Sequence, residues 1–350
     1  MMVSVIIPVY QVEAFIERAV RSMTAQTLTD MEIFCVDDGS TDRSGDILDR
    51  LAAEDRRIRV IHQKNAGAPA ARNRAIELAK GKYLYFCDGD DWAEPEMLAD
   101  MVRMCEANDL QLGIAGFTID THTDEEGHFV RQTLCVPDEI FASQRAFREN
   151  AYRLFDQNQL YPPWNKLIRR DYLMEHGIRF PATFWDDFPF VLDCIRDVER
   201  VGVTQKAYYH FQRARAESET ARYRDNMYEK REEEHGWMIE LYKHWGVDDA
   251  RSQEMIQRRY IERLVGCIEN AASPACRDAF GVRMDKIRAM ITAPRAREAL
   301  RIAQPRSLVM KLMLIPLRLK CPSLCLAEGR FIGWVKRRSA GTFARLKAGR

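Results

Sequence analysis

The chain has 350 residues, 46% of them apolar and 30% charged. That is room for one large domain with an addition, or for two ordinary ones, and it excludes a disordered, collagen-like or coiled-coil chain. No apolar run reaches the ~18 residues of a membrane-spanning helix. The net charge of +1 hides an asymmetry. Residues 306–350 hold eleven Lys/Arg and one acid, Glu328, a net of +10, while the rest of the chain carries −9. The nine scattered cysteines are odd in number, and the opening stretch reads as a strand rather than a signal peptide. Together these favour reduced thiols and a cytoplasmic location.

Strand and helix alternate through the first hundred residues. Val3–Val9 is a β-branched strand, and Val12, Phe15, Ile16, Ala19, Val20 and Met23 follow at helical spacing. Glu32–Val36 is a second strand, stopped by Asp37-Asp38-Gly39-Ser40. Ser40 or Thr41 is expected to cap the next helix, which buries Ile47, Leu48 and Leu51. Ile58–His62 is a third strand. A helix over Ala68–Ala79 is expected to close on Gly81 as its C-cap. Tyr83–Cys87, Pro95–Glu106 and Gln111–Phe117 then read as strand, helix and strand. Asp120–His128 reads as a loop or hairpin tip, and Tyr161–Arg215 as aromatic-rich and irregular. Beyond Tyr223 the chain turns helical. Trp237, Met238, Leu241, Tyr242 and Trp245 form one face, and Ile256, Tyr260, Ile261, Leu264 and Ile268 another.

This rhythm gives an α/β fold, a mostly parallel sheet flanked by helices and followed by a C-terminal helical region. The expected domains are 1–220, a helical extension 221–305 and a basic amphipathic tail 306–350. Ligands of such sheets sit beyond the carboxyl ends of the strands, which puts Asp37-Asp38 and Asp88-Gly89-Asp90-Asp91 on one edge. Three carboxylates in four residues repel unless a cation joins them. Mg²⁺ or Mn²⁺ takes oxygen ligands and shares them with substrate phosphates. The plainer reading is a solvated turn with Asp91 capping a helix. Asp37–Asp42 lacks the spacing of a D-x-D-x-T phosphatase loop. No G-x-G-x-x-G follows the first strand, nor the Gly-rich loop of a nucleotidyltransferase.

Four ordered motifs resemble glycosyltransferase family 2, the inverting family with the GT-A fold. They are Val5-Ile6-Ile7-Pro8-Val9-Tyr10, then Val36-Asp37-Asp38-Gly39-Ser40-Thr41-Asp42, then Asn65-Ala66-Gly67 with Ala71-Arg72-Asn73, then Asp88-Gly89-Asp90-Asp91. The segment Trp164-Asn165-Lys166-Leu167-Ile168-Arg169 is similar to the family's W-x-K-x-x-R. Phe184-Trp185-Asp186-Asp187-Phe188-Pro189-Phe190 is similar to its base-bearing segment, with Asp-Asp where Glu-Asp is common. Tyr209-His210-Phe211-Gln212-Arg213 and Ser218 echo its Y-x-x-R-x-x-S, so the resemblance covers about residues 3–220.

The resemblance implies a nucleoside-diphosphate-sugar donor, with UDP as the expected nucleotide. It puts Asp38 on a uracil-type base, Pro8 and a stacking Tyr10 beside it, Arg72 and Arg213 near the phosphates, and Mn²⁺ or Mg²⁺ at Asp90 with Asp88 as partner. It gives Asp187 as general base, with Asp186 the other candidate, and leaves His210 as a strand histidine. The acceptor it implies is a saccharide or lipid-linked saccharide of surface-polysaccharide synthesis. The rival reading is a non-catalytic nucleotide-sugar-binding or scaffold protein. In the tail, Leu308, Val309, Met310, Leu312, Met313, Leu314, Ile315, Leu317 and Leu319 interleave with Lys311, Arg318 and Lys320, ahead of Phe331, Ile332 and Trp334. An anionic membrane surface suits that pattern and gives a peripheral place on the inner face of the plasma membrane. Packing onto the helical region is the alternative, and no nucleic-acid recognition motif accompanies the charge.

Overall fold

The computed structural model describes residues 1–122, 129–183, 185–213 and 223–338. The expected hairpin tip at 123–128, Phe184, Ser218 and the tail beyond 338 lie outside the described residues. Two compact units emerge, Met1–Asp120 with Gln132–Gln212, and Thr121–Arg131 with Arg213–Arg350.

The opening follows the expected alternation as β1 (Val3–Val9), α1 (Ile16–Thr24), β2 (Met31–Asp37), α2 (Ser44–Glu54), β3 (Ile58–His62), α3 (Ala68–Leu78) and β4 (Tyr83–Phe86). Then come β5 (Trp92–Ala93), α4 (Met97–Ala107), β6 (Leu112–His122), β7 (Phe129–Leu134), β8 (Glu139–Phe141) and α5 (Gln144–Asp156). The stretch expected to be irregular holds β9 (Lys166–Arg169), α6 (Arg170–Glu175), α7 (Asp187–Arg196) and the long β10 (Val201–Arg213).

The sheet runs β3-β2-β1-β4-β9-β6-β10-β5, with β7 on β6 and β8 on β10. Its first four strands are parallel, as the alternation requires. From β9 the pattern changes: β9 is antiparallel to β4 and β6, and β10 is antiparallel to β5 and β8. The parallel half is buried on both faces, so β1, β2 and β4 read as almost unbroken apolar runs. α1 covers it with Ile16, Ala19, Val20 and Met23.

Register then places the chemistry. Val9 pairs with Asp37 and Ile6 with Phe86. Asp38 N–H donates to Val9 O at 2.9 Å, and Cys87 N–H to Ile6 O at 3.0 Å. The Asp37-Asp38 turn and the Asp88–Asp91 turn therefore leave the sheet on either side of β1 at its carboxyl edge.

Three local expectations are corrected. Neither Ser40 nor Thr41 caps α2. Their hydroxyls accept from Gln11, and Asp42 Oδ1 accepts from the Ser44 N–H that opens the helix. Asp91 caps no helix, since α4 starts only at Met97; it is fully buried under β10. Gly81 is not the C-cap of α3, whose cap residue is Ala79. Its lack of a side chain is needed because a Cβ there would overlap the backbone of Val3 and Ser4.

The second unit is helical: α8 (Met227–Trp245), α9 (Ala250–Ala272), α10 (Phe280–Thr292), α11 (Pro294–Ile302), α12 (Leu308–Met313), α13 (Ile315–Arg318) and α14 (Pro322–Arg338). α8, α10, α11 and α14 pack on α9. The core there joins Tyr260, Leu264 and Ile268 to Ile287, Leu300 and Leu326. No helix among the described residues is long and apolar enough to cross a membrane.

Gly81→Ala should cost about 2–3 kcal/mol, the usual penalty of forcing atoms into a packed site that cannot yield. Urea unfolding would read it as a lower midpoint at unchanged slope.

Candidate active site

The two acidic turns divide their carboxylates between holding the loops and facing the site. Asp37 Oδ1 accepts from Ser40 N–H at 3.0 Å, and its Oδ2 lies 2.8 Å from His62 Nδ1. Those hydrogen bonds, to Asp37 first and Asp49 second, raise the pKa of His62. Asp38 is buried. Its Oδ1 accepts from Gln63 Nε2 and Ala66 N–H at 2.8 and 2.9 Å, and its Oδ2 from Gly67 N–H at 2.7 Å. Asp38 thus ties down the Asn65-Ala66-Gly67 loop. Gly39 makes the close approach possible: its φ is +74°, and a Cβ would lie 2.9 Å from Asn65 N. Pro8 sits in β1, and Tyr10 follows the strand with its ring half-exposed. Gln11 beside it is left-handed, φ +54°, and bonded to Ser40 and Thr41.

In the second turn, Asp91 accepts from the Tyr209 hydroxyl and from Gln212 N–H, each at 2.8 Å. Burial, with Asp90 and Asp88 close by, raises its carboxyl pKa. The Tyr209 ring stacks on Trp164, which stacks in turn on Phe211, so the turn rests on an aromatic column. Gly89 fits against Pro8 O, where a Cβ would stand 3.3 Å away. Asp90 O accepts from Arg18 Nη2 at 2.9 Å. Asp88 sends its side chain elsewhere, to Arg72.

Arg72 is the hub. Its Nη2 donates to Asp88 Oδ1 at 2.9 Å and its Nη1 to Asp186 Oδ2 at 2.9 Å, with Asp187 Oδ1 3.2 Å from Nη1. The guanidinium is buried and lies 4.9 Å over the Phe180 ring. Burial works against its charge, but the three carboxylates outweigh it and raise its pKa. Phe180 is stacked on Phe190 at 3.7 Å and meets Phe86 edge-on. Asn73, one residue beyond Arg72, clasps the Phe180 backbone, donating to its O at 2.8 Å and accepting from its N–H at 2.9 Å. Helix α3 therefore fixes the segment that leads to α7.

Asp186 and Asp187 stand at the start of α7, and Asp186 makes no side-chain cap bond. Trp185 before them has φ +58°, a strained value for a bulky residue at the entry to this cluster. Asp187 Oδ1 is buried and accepts no hydrogen bond. Burial pushes the Asp187 carboxyl up to about 7 against the pull of Arg72, with Asp186 and Asp88 adding to the rise. Asp186 is raised as well, also by burial first.

Lys166 is buried behind this wall. Its Nζ donates to Gln159 O, Pro162 O and Asn165 Oδ1 at 2.7, 2.5 and 2.8 Å. Burial lowers its pKa, but three acceptors match the three donors of an ammonium and favour the charged form. His210 is buried in β10 between Asp120 and Glu94, and stacks on Trp92 at 3.7 Å. Arg213 closes β10 half-buried, at the start of the second unit.

The structure thus joins Arg72 to Asp88, Asp186 and Asp187, and sets Pro8 against the turn that carries Asp88 and Asp90. Sequence reasoning missed three holding contacts, the Asn73 clasp, the Phe180 platform and the Tyr209–Asp91 bond. The only signal for Asn73 was its place beside Arg72.

Among the described residues, no group of three or more His, Cys, Asp or Glu side chains is arranged to hold an ion. A site in which one or two carboxylates share the ion with substrate phosphates does not require such a group.

Residues 4–177 match the family model described as glycosyl transferase family 2. Bacillus subtilis EpsJ, an uncharacterized glycosyltransferase, is 32% identical over 260 residues, covering 73% of each chain. The chain belongs to glycosyl transferase family 2. Another family relative, the putative glycosyltransferase EpsH of the same bacterium, is 35% identical over 51% of this chain and 50% of its own. The fold is that of S. aureus TarS 1–349, with a TM-score of 0.64 at 19% identity over 97% of this chain and 92% of that one. TarS has also been solved with UDP-GlcNAc and with UDP. The family membership makes this chain a glycosyltransferase, and the TarS likeness bears out the GT-A-type α/β expectation.

Arg72→Met would leave three partly buried carboxylates without their shared cation. It should cost about 1.5–3 kcal/mol, the usual worth of a hydrogen-bonded charged partner. A loss below ~1 kcal/mol in urea unfolding would mean that the carboxylates do not depend on the guanidinium.

Proposed function

We propose that the chain is an inverting, metal-dependent glycosyltransferase of surface-polysaccharide synthesis. It moves a sugar from a nucleoside diphosphate, most simply UDP, to a saccharide or lipid-linked saccharide acceptor. One observation carries the reading. Arg72 links Asp88, on the turn at the sheet's ligand edge, to Asp186 and Asp187 at the start of α7. Donor-side and base-side carboxylates thereby share one cation. The complexes of TarS with UDP-GlcNAc and UDP support a uridine diphosphate donor.

In this reading the half-exposed Tyr10 ring and Pro8 flank the base of the donor. Asp38 serves the base by holding the 65–67 loop beside it, and Arg72 and Arg213 lend positive charge near the phosphates. Asp90, with Asp88, would hold Mn²⁺ or Mg²⁺ together with the donor phosphates, and the ion would offset the charge of the departing diphosphate. Asp187 takes the proton of the acceptor hydroxyl. The freed oxygen forms its bond to the anomeric carbon as the bond from that carbon to the diphosphate oxygen breaks on the opposite face, so the configuration inverts. A carboxyl raised toward neutrality is a stronger base than an ordinary aspartate, which suits an alcohol acceptor. Asp186 accepts from Arg72 and keeps that guanidinium beside the base. A lipid-linked acceptor would bring the protein to the inner face of the plasma membrane, with residues 306–350 at the anionic surface.

Asp187→Asn should retain UDP binding and lose about 10²–10⁴-fold in kcat, with Asp186→Asn milder. The reverse order would move the base to Asp186. Asp90→Ala should abolish Mn²⁺-dependent release of UDP from a donor panel while the unfolding midpoint holds, and full turnover would refute the metal assignment. The pH profile tests the base independently. The base must be unprotonated to act, so kcat/KM should climb about tenfold per unit below its pKa and level off above about 7. A profile flat from pH 5 to 8 would exclude a base with the raised pKa of Asp187.

A further inference from the structure

α12 and α13 form an almost continuous helical run. Leu314 between them and Leu319 after them keep right-handed helical angles, and Pro316 falls in the first turn of α13, where its missing N–H costs nothing. One side of this run is core. Met310, Leu314 and Leu317 are buried in the cluster built on α9. The other side is also apolar. Leu308, Leu312, Ile315 and Leu319 recur at steps of four, three and four residues, which places them on one helical stripe. They are exposed by 72%, 57%, 45% and 64%. A helix that only packs on a core needs one apolar stripe. The second has no core partner among the described residues of this unit.

Its surroundings carry one sign of charge. Arg306, Lys311, Arg318 and Lys320 flank the stripe. α14 adds Arg330, and also Phe331 and Trp334, exposed by 62% and 48% with their rings 6.1 Å apart. The only acid in 306–338 is Glu328, and burial pushes its carboxyl up to about 7, which weakens its negative charge near neutral pH. Two copies of the chain meeting through this face would set like charges against each other. A nucleic acid would meet the charges but leave the leucines without use. An anionic lipid surface satisfies both, since phosphates meet the cations and the leucine stripe enters the acyl boundary.

We propose that the stripe Leu308, Leu312, Ile315 and Leu319, together with Phe331 and Trp334, is an insertion face that seats this protein on an anionic phospholipid bilayer. The proposal rests on the lipid-linked-acceptor reading above and deepens it by naming the surface and the residues that meet it.

The test uses the full chain and co-sedimentation with vesicles of phosphatidylcholine alone or with one-quarter phosphatidylglycerol. The wild type should bind the mixed vesicles at least tenfold better than the neutral ones and keep part of that binding in high salt. Leu308→Ser with Leu312→Ser, Ile315→Ser and Leu319→Ser should lose the salt-resistant fraction. Lys311→Glu with Arg318→Glu and Lys320→Glu should weaken binding to mixed vesicles about a hundredfold, as three basic contacts imply. All six leucine, isoleucine and tryptophan or phenylalanine side chains at issue are exposed, so an unchanged thermal shift with UDP and Mn²⁺ would confirm that each variant is folded. Variants that sediment like the wild type would overturn the proposal. So would a wild-type dimer that the serine variant converts to monomer, which would make the stripe a contact between copies. Wild-type protein that binds vesicles but releases no UDP from any donor would strike the transferase mechanism and leave the insertion face standing.

Discussion

A buried guanidinium is the constraint around which the first unit is organised. Removing Arg72 from water is costly, and the carboxylates of Asp88, Asp186 and Asp187 make it tolerable. Those groups come from the end of β4 and the start of α7, nearly a hundred residues apart in sequence. They can meet at one cation only if α3, the acidic turn and the α7 entry converge. Asn73 and Phe180 enforce that convergence, the first through two backbone hydrogen bonds and the second by supporting the guanidinium face. Well-packed apolar residues would often stabilise such a position as well or better. A cluster that gains little net stability from its charges accords with the catalytic role proposed for it.

The acidic motifs are correspondingly mixed in role. Asp37, Asp38 and Asp91 point back into the protein and accept from backbone or buried side-chain donors. Asp88 points to the cationic hub. The division follows from geometry at the sheet edge. Gly39 and Gly89 let two turns pack against neighbouring backbone, and the carboxylates on the packed side must then be satisfied from within. Only what remains is available for a ligand. A count of acids in a motif thus overstates the number that can do chemistry.

Much of the parallel half was legible in the sequence because its strands are short apolar runs with helical spacing between them. β1 and β3 match the expected limits to the residue, and the others differ by one or two positions. The motif residues were legible too, as ordered clusters that a resemblance could join. What the sequence concealed was tertiary. β10 is buried at Val201–Val203 and again at Tyr208–His210, exposed between them and half-buried at its end, so no single period marks it as a strand. The capping expectations failed because Ser40, Thr41 and Asp91 each had a better partner far away in sequence. Arg72 looks like any helical arginine until the residues at 186 and 187 are folded against it. Four helix and strand elements between 161 and 213 escaped for the same reason, since their aromatic residues serve a column and a platform rather than a periodic face.

The helical unit shows a different limit of sequence reading. Between residues 308 and 319 nearly every position that is not basic is apolar. A stripe facing the core and a stripe facing solvent then overlap into one unbroken signal, and no period separates them. Burial does. It assigns Met310, Leu314 and Leu317 to the interior and leaves Leu308, Leu312, Ile315 and Leu319 outside. The two readings of the tail, packing and surface contact, were posed as alternatives; packing describes one side of the helical run, and the proposed surface contact would use the other. The exposed side would be an aggregation liability in water if it met its own kind, and the flanking cations oppose that meeting while favouring an anionic surface. In the proposed seating, charge and apolarity in this segment are not separate features but two conditions on one partner.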